Sequence, residues 1–93
     1  MQTDRTNKLR RHAALFDDMA STLGIDLQEA ALSGALPFGQ IADAVLACTD
    51  CACVRACDDV LGAAAKGEGQ PLAAPGYCRN RSLLDRLQQE TGA

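Results

Sequence analysis

Four cysteines fall within ten residues of this chain, Cys48, Cys51, Cys53 and Cys57, in the stretch "LACTDCACVRACDDVL". A fifth, Cys78, follows in "PGYCRN". This cluster constrains the fold more than anything else in the sequence, because the rest of the chain offers little to bury. The 93 residues contain two Phe, one Tyr and no Trp. Aromatic side chains supply large burial per residue. Here Ala and Leu carry most of the apolar 47%. A thin core of small and medium side chains in one short domain gains from a staple, a metal or a partner chain.

Adjacent cysteines such as Cys51 and Cys53 bridge poorly, and five cannot all pair. The sequence "MQTDRTNKLRRHAALF" has no apolar run of the secretory type, and no stretch approaches the ~18–20 apolar residues of a membrane span. The expectation is a cytoplasmic protein that does not enter membranes. In that compartment thiols stay reduced, so clustered cysteines read as metal ligands or redox groups before disulfides. Net charge of −3 and a pI near 4.9 argue against a nucleic-acid binder. The basic start, with Arg5, Lys8, Arg10 and Arg11, reads as a solvated helix end.

Periodicity is helical throughout, and no run alternates as a strand would. Residues 5–23 place Leu9, His12, Ala13, Phe16, Met19, Ala20 and Leu23 on one face, and Gly24 is suited to end that helix. Asp26 and Glu29 form a capping-box arrangement opening a short helix that stops near Gly34. Pro37 opens the next segment. Its stripe of Phe38, Ile41, Ala42, Val45 and Leu46 delivers Cys48 to the helix end. After the turn "CTDCA", Cys53, Val54, Cys57, Val60 and Leu61 resume helical spacing to about Ala65. Residues 66–76, "KGEGQPLAAPG", form a flexible loop. A last helix from about Arg81 to Gln89 turns Leu83, Leu84 and Leu87 inward, capped by Asn80 or Ser82. The expected fold is all-α: one domain over 1–93, a small irregular bundle of four to five short helices with a cysteine-rich turn.

Cys48, Cys51, Cys57 and Cys78 give the spacing C-x2-C-x5-C-x20-C. The first two, three apart around a turn, can direct both sulfurs at one point. Cys57 reaches it if the chain re-enters a helix, and Cys78 arrives from the start of the last helix, whose positive end favours thiolate. Four such thiolates suit zinc or an iron–sulfur cluster. With either Zn²⁺ or an oxidised [4Fe–4S] core, formal charges sum to about −2. Arg55, Tyr77 and Arg79 are candidates to surround the ligands, the arginines with charge and Tyr77 by excluding water. Cys53 is the spare or substitute ligand.

The local C-x2-C-x5-C spacing resembles the cluster loops of the actinobacterial WhiB-like regulators and of the endonuclease III class of DNA glycosylases. In both, the resemblance implies, those cysteines help hold a [4Fe–4S] cluster among helices. Both families take the fourth ligand from the N-terminal side, whereas Cys78 lies C-terminal. Over nearly its whole length the chain looks like a family of short alphaproteobacterial proteins of unknown function. That resemblance rests on "RHAALFDDMASTLGIDL", on "AVLACTDC…C" and on "YCRN" at 77–80. It implies that Cys48, Cys51, Cys57 and Cys78 act together, and it supplies no activity.

Three chemistries remain open at this point. The first is an iron–sulfur redox, sensor or accessory module that works with a protein partner. The second is a structural zinc module presenting a helical interaction surface. The third is a dithiol redox protein, since C-x2-C is also the spacing of reactive dithiols, although those normally follow a strand. Cysteines that are merely small buried apolar residues are the bland alternative. No nucleophile–base–acid arrangement, phosphate loop or dinucleotide fingerprint occurs, so an enzyme is not expected. His12, the single histidine, reads as a core or boundary residue.

Overall fold

A computed structural model describes the backbone over residues 2–91 and the side chains over residues 5–90. Met1, Gly92 and Ala93, which the single-domain reading of 1–93 includes, lie outside the described residues. The chain forms five helices: α1 (Gln2–Thr22), α2 (Leu27–Ser33), α3 (Phe38–Thr49), α4 (Val54–Ala65) and α5 (Arg81–Thr91). No strand occurs among the described residues.

The boundaries follow from local chemistry. At the end of α1, Gly24 takes φ +80°, and the Ile25 N–H returns to the Ala20 carbonyl at 2.8 Å. This left-handed termination carries little penalty for glycine. Asp26 caps α2 by accepting a hydrogen bond from the Glu29 N–H at 3.0 Å, and Gly34 closes that helix at φ +84°. Pro37 stands one position earlier than a first-turn proline: it is the N-cap of α3, with extended ψ of 150°. Its carbonyl still accepts from Gln40 and Ile41.

The core gathers between the C-terminal half of α1, the α2 region and α5. Leu36, Leu84, Leu87, Ala20 and Ala30 are wholly buried, with Phe16, Met19, Leu23, Ile25, Ala44 and Ala74 packed around them. The expected α1 face holds, with His12, Phe16, Met19, Ala20 and Leu23 buried, except that Leu15 is buried and Ala13 is exposed; the expected α3 face is rotated. On α3, Phe38 is 80% exposed, Ala42 is exposed and Leu46 is 52% exposed, while the buried position is Ala44. Both helices carry apolar residues on more than one face, and the one that packs is chosen by the neighbouring helix.

Helix α4 differs from the others in having no buried residue. It leans on the core through partly buried Cys57, Val60 and Leu61. An exposed ion pair, Arg11 to Asp58 at 3.0 Å, ties it to α1. The connection from Lys66 to Asn80 is held at several points. Gln70 donates to the Thr22 carbonyl at 2.6 Å, Gln88 donates to the Leu72 carbonyl at 2.9 Å, and Ala74 enters the core.

Candidate metal centre

Each sulfur reaches its place through a different local device. Cys48 sits in the last turn of α3, and the Cys51 N–H bonds back to its carbonyl at 3.1 Å, closing the turn. Cys53 is the N-cap of α4 without acting as a side-chain cap, and the Cys57 N–H returns to the Cys53 carbonyl at 3.0 Å. Cys78 occupies a turn whose N–H bonds to the Pro75 carbonyl at 3.0 Å, and its own carbonyl receives the Arg81 N–H at 3.2 Å. Helix α5 begins there.

These devices bring Cys48, Cys51, Cys57 and Cys78 around a single cavity. Leu15, Phe16, Met19 and Leu84 form its apolar floor, and Tyr77, Arg79 and Asn80 complete the wall. All five cysteines are free thiols of intermediate exposure. Cys53 does not line the cavity; its backbone N–H instead donates to the Cys51 sulfur at 3.4 Å. The residues expected around the ligands divide. Tyr77 and Arg79 border the cavity, the latter from an exposed position, whereas Arg55 is exposed on α4 and does not reach it.

Two residues at this site belong to no spacing pattern. His12 is 5% exposed, and its Nδ1 lies 3.4 Å from the Cys48 sulfur. With the proton on Nδ1, the ring donates to a thiolate there. Asn80, 7% exposed, does not cap α5 with its side chain. Its Nδ2 crosses to the Ala44 carbonyl of α3 at 2.8 Å, while its backbone N–H is directed at the Cys78 sulfur. Asn80 thereby fastens the Cys78 segment to the helix that carries Cys48.

The electrostatics are those of neutral thiols crowded out of water. Burial, then the charges of Cys51 and Cys78, push the Cys48 thiol up to about 11. Burial, then Cys48, Cys78, Cys51 and Asp58, push Cys57 to about 11. Cys78 is raised by burial, against the opposing pull of the Asn80 N–H. His12 is lowered, first by burial and then by Lys8 and Arg11, with a hydrogen bond to the Cys48 backbone acting the other way. The mutual influence of Cys48, Cys51, Cys57 and Cys78 means that ionising one thiol opposes ionising the next. A cation within the group removes that penalty, and metal binding then releases protons.

Among the described residues, no group of three His, Cys, Asp or Glu side chains is placed to hold a single metal ion. Four thiolates at ~2.3 Å from one zinc would stand roughly 3.8 Å apart. In a four-iron cluster each thiolate binds its own iron, so the sulfurs spread more widely. The cavity is small, about 30 Å³, close to the space of one water molecule. The donor set fits a metal centre in chemistry: four sulfurs from two segments, an apolar floor and N–H groups directed at sulfur.

A family model described as a family of unknown function (DUF6455) matches residues 2–90. The chain belongs to that family. The match spans α1 to α4, α5 up to Glu90, and all five cysteines. The family sets the extent of the unit, which includes both the three-cysteine stretch and the Cys78 segment, and it assigns no chemistry. No curated protein and no solved structure matches the chain.

Proposed function

We propose that this protein is a small metal-binding module whose centre is an iron–sulfur cluster, held by Cys48, Cys51, Cys57 and Cys78. A [4Fe–4S] core is favoured, and the module serves redox, sensing or accessory roles toward a protein partner. The observation that carries this reading is the meeting of four thiols from two chain segments at one cavity. Cys53 is left outside the set. Cysteines serving only as small apolar residues have no need to converge, and their burial would suffice singly.

Iron is favoured over zinc by the sequence spacing, since C-x2-C-x5-C resembles [4Fe–4S] loops and the chain has one C-x2-C knuckle where zinc sites usually pair two. Bound there, a cluster would supply one-electron chemistry and sensitivity to oxidants. The chain's own part is to orient four sulfurs, keep water away with Leu15, Phe16 and Met19, and direct N–H groups at sulfur. Loss of the centre leaves neutral thiols and unlinks Cys78 from the 48–57 stretch, changing the surface formed by α4 and the loop at 66–80. We assign that surface to a protein partner, and no enzymatic activity, membrane contact or nucleic acid to the module. Among the described residues no helix is long and apolar enough to cross a membrane.

Zinc is the alternative, with the same four ligands and a structural role. A dithiol oxidoreductase is less well supported, because a reactive cysteine needs a lowered thiol pKa, and Cys48, first of the C-x2-C pair, is displaced upward to about 11. Anaerobic purification followed by iron, sulfide and zinc analysis tests the reading. An iron–sulfur protein is brown, with absorption at ~400 nm, whereas d¹⁰ zinc is colourless. Iron and sulfide absent from such material, or a Cys78→Ser variant with unchanged metal content, would refute the assignment.

A further inference from the structure

The hydroxyl of Tyr77 is buried and has no hydrogen-bond partner among the described residues. Leaving a buried hydroxyl unpaired costs about 1–3 kcal/mol, and folded chains rarely keep one without a reason. Tyr77 is the only tyrosine in the chain, and it borders the cavity formed by the four cysteines.

The sulfurs show the complementary gap. Cys48 has the His12 ring nitrogen at 3.4 Å. Cys51 receives the Cys53 N–H at 3.4 Å. The Asn80 N–H is directed at Cys78. Among the described residues, the Cys57 sulfur has no such donor. One unpaired donor and one unpaired acceptor thus face the same small space.

We propose that Tyr77 is a positioning residue for the metal centre, its hydroxyl donating a hydrogen bond to the Cys57 sulfur once that sulfur is a metal-bound thiolate. The inference rests on the iron–sulfur reading and adds to it the residue that sets the centre's reduction potential. A neutral thiol is a weak acceptor and gives a phenol little. A thiolate of a centre carrying about −2 is a strong one, and charge-assisted bonds of this kind are roughly twice as strong as neutral ones. Reduction adds negative charge to the centre, so the bond strengthens on reduction and raises the potential.

Replacing Tyr77 with phenylalanine keeps the ring and removes the donor. In anaerobically purified Y77F, iron and sulfide content are expected to match the wild type. The reduced-to-oxidised ratio at fixed potential is expected to fall by up to about tenfold, a midpoint lowered by up to about 59 mV for a one-electron couple. Substituting 3-fluorotyrosine biosynthetically, which alters only this position, makes the hydroxyl a stronger donor and is expected to move the midpoint the opposite way. A merely structural role would not give shifts of opposite sign, and the fluorinated protein decides the question even if Y77F fails to fold. Equal midpoints in wild-type and fluorinated protein at full iron content would overturn the role of Tyr77 while leaving the cluster intact. Wild-type protein that contains zinc, or no metal, would overturn both the cluster reading and this inference.

Discussion

The two sides of this molecule are built on different principles. On one, α5 and the end of α1 enclose Leu36, Leu84 and Leu87 so fully that none has exposed surface. On the other, α4 has no buried residue, and its inward positions Cys57, Val60 and Leu61 are only partly covered. The first side is held by apolar burial, which acts without regard to geometry. The second brings sulfur to a small cavity and leaves its own packing incomplete. A chain poor in aromatics has built one full core, and on the reading proposed above the other half is held by metal chemistry.

The strongest challenge to this division is to damage the apolar side. Leu84→Ala is expected to cost about 2–5 kcal/mol, measured by urea unfolding, and to do so with or without metal. A cost that disappears on metal loading would show that the two sides are not independent. Next in size, stripping the centre by anaerobic chelation is expected to speed amide exchange in α4 by about tenfold or more, equivalent to ~1.4 kcal/mol of lost protection. Exchange in α5 is expected to change far less. Equal acceleration in both helices would mean that the metal holds the whole fold.

Asn80→Ala tests the strap between the sides. Losing its bond to the Ala44 carbonyl is expected to cost about 1 kcal/mol of stability. It is also expected to weaken metal retention about 10- to 100-fold in competition with a chelator, the usual effect of removing a group that holds a ligand in place. The smallest effect is reserved for Arg11→Ala, which breaks the exposed pair with Asp58. Thermal unfolding should report less than about 1 kcal/mol, and a larger loss would make that pair a real fastener of α4.

Much of the architecture was legible because it depends on local rules. Gly24, Gly34 and Asp26 each announce a helix end through conformational freedom or side-chain chemistry, and the structure uses all three. The cysteine spacing likewise brings Cys48, Cys51 and Cys57 together from within ten residues, and a turn before a helix brings Cys78. Faces were less legible. In α3, apolar residues occupy positions 38, 41, 42, 44, 45 and 46, so periodicity admits more than one inward stripe. The segment leading into α5, where Asn80 bonds the Ala44 carbonyl, favours Ala44, and Phe38 is left outside. His12 was legible as a core residue, but its contact with Cys48 and that of Asn80 with Ala44 were not, because each partner lies 36 residues away. For His12 there was one usable hint: it shares the inner face of α1 with Phe16, so a lone imidazole was directed toward the middle of the chain's packing. Arg55 fails in the opposite direction, since proximity in sequence to the ligands did not become proximity in space.

The sparse footing of α4 bears on the order in which the finished protein is assembled. On the reading proposed above, the apolar contacts of α1, α2, α3 and α5 need no inorganic component, so a scaffold would exist before any iron arrived, with Cys78 already anchored beside α5. The segment carrying Cys51 and Cys57 would then swing in last, like a door closing on its contents. If the proposed centre is present, delivery to a waiting, partly open receptacle is the route this design implies, in contrast to small metal proteins in which the ion must come first.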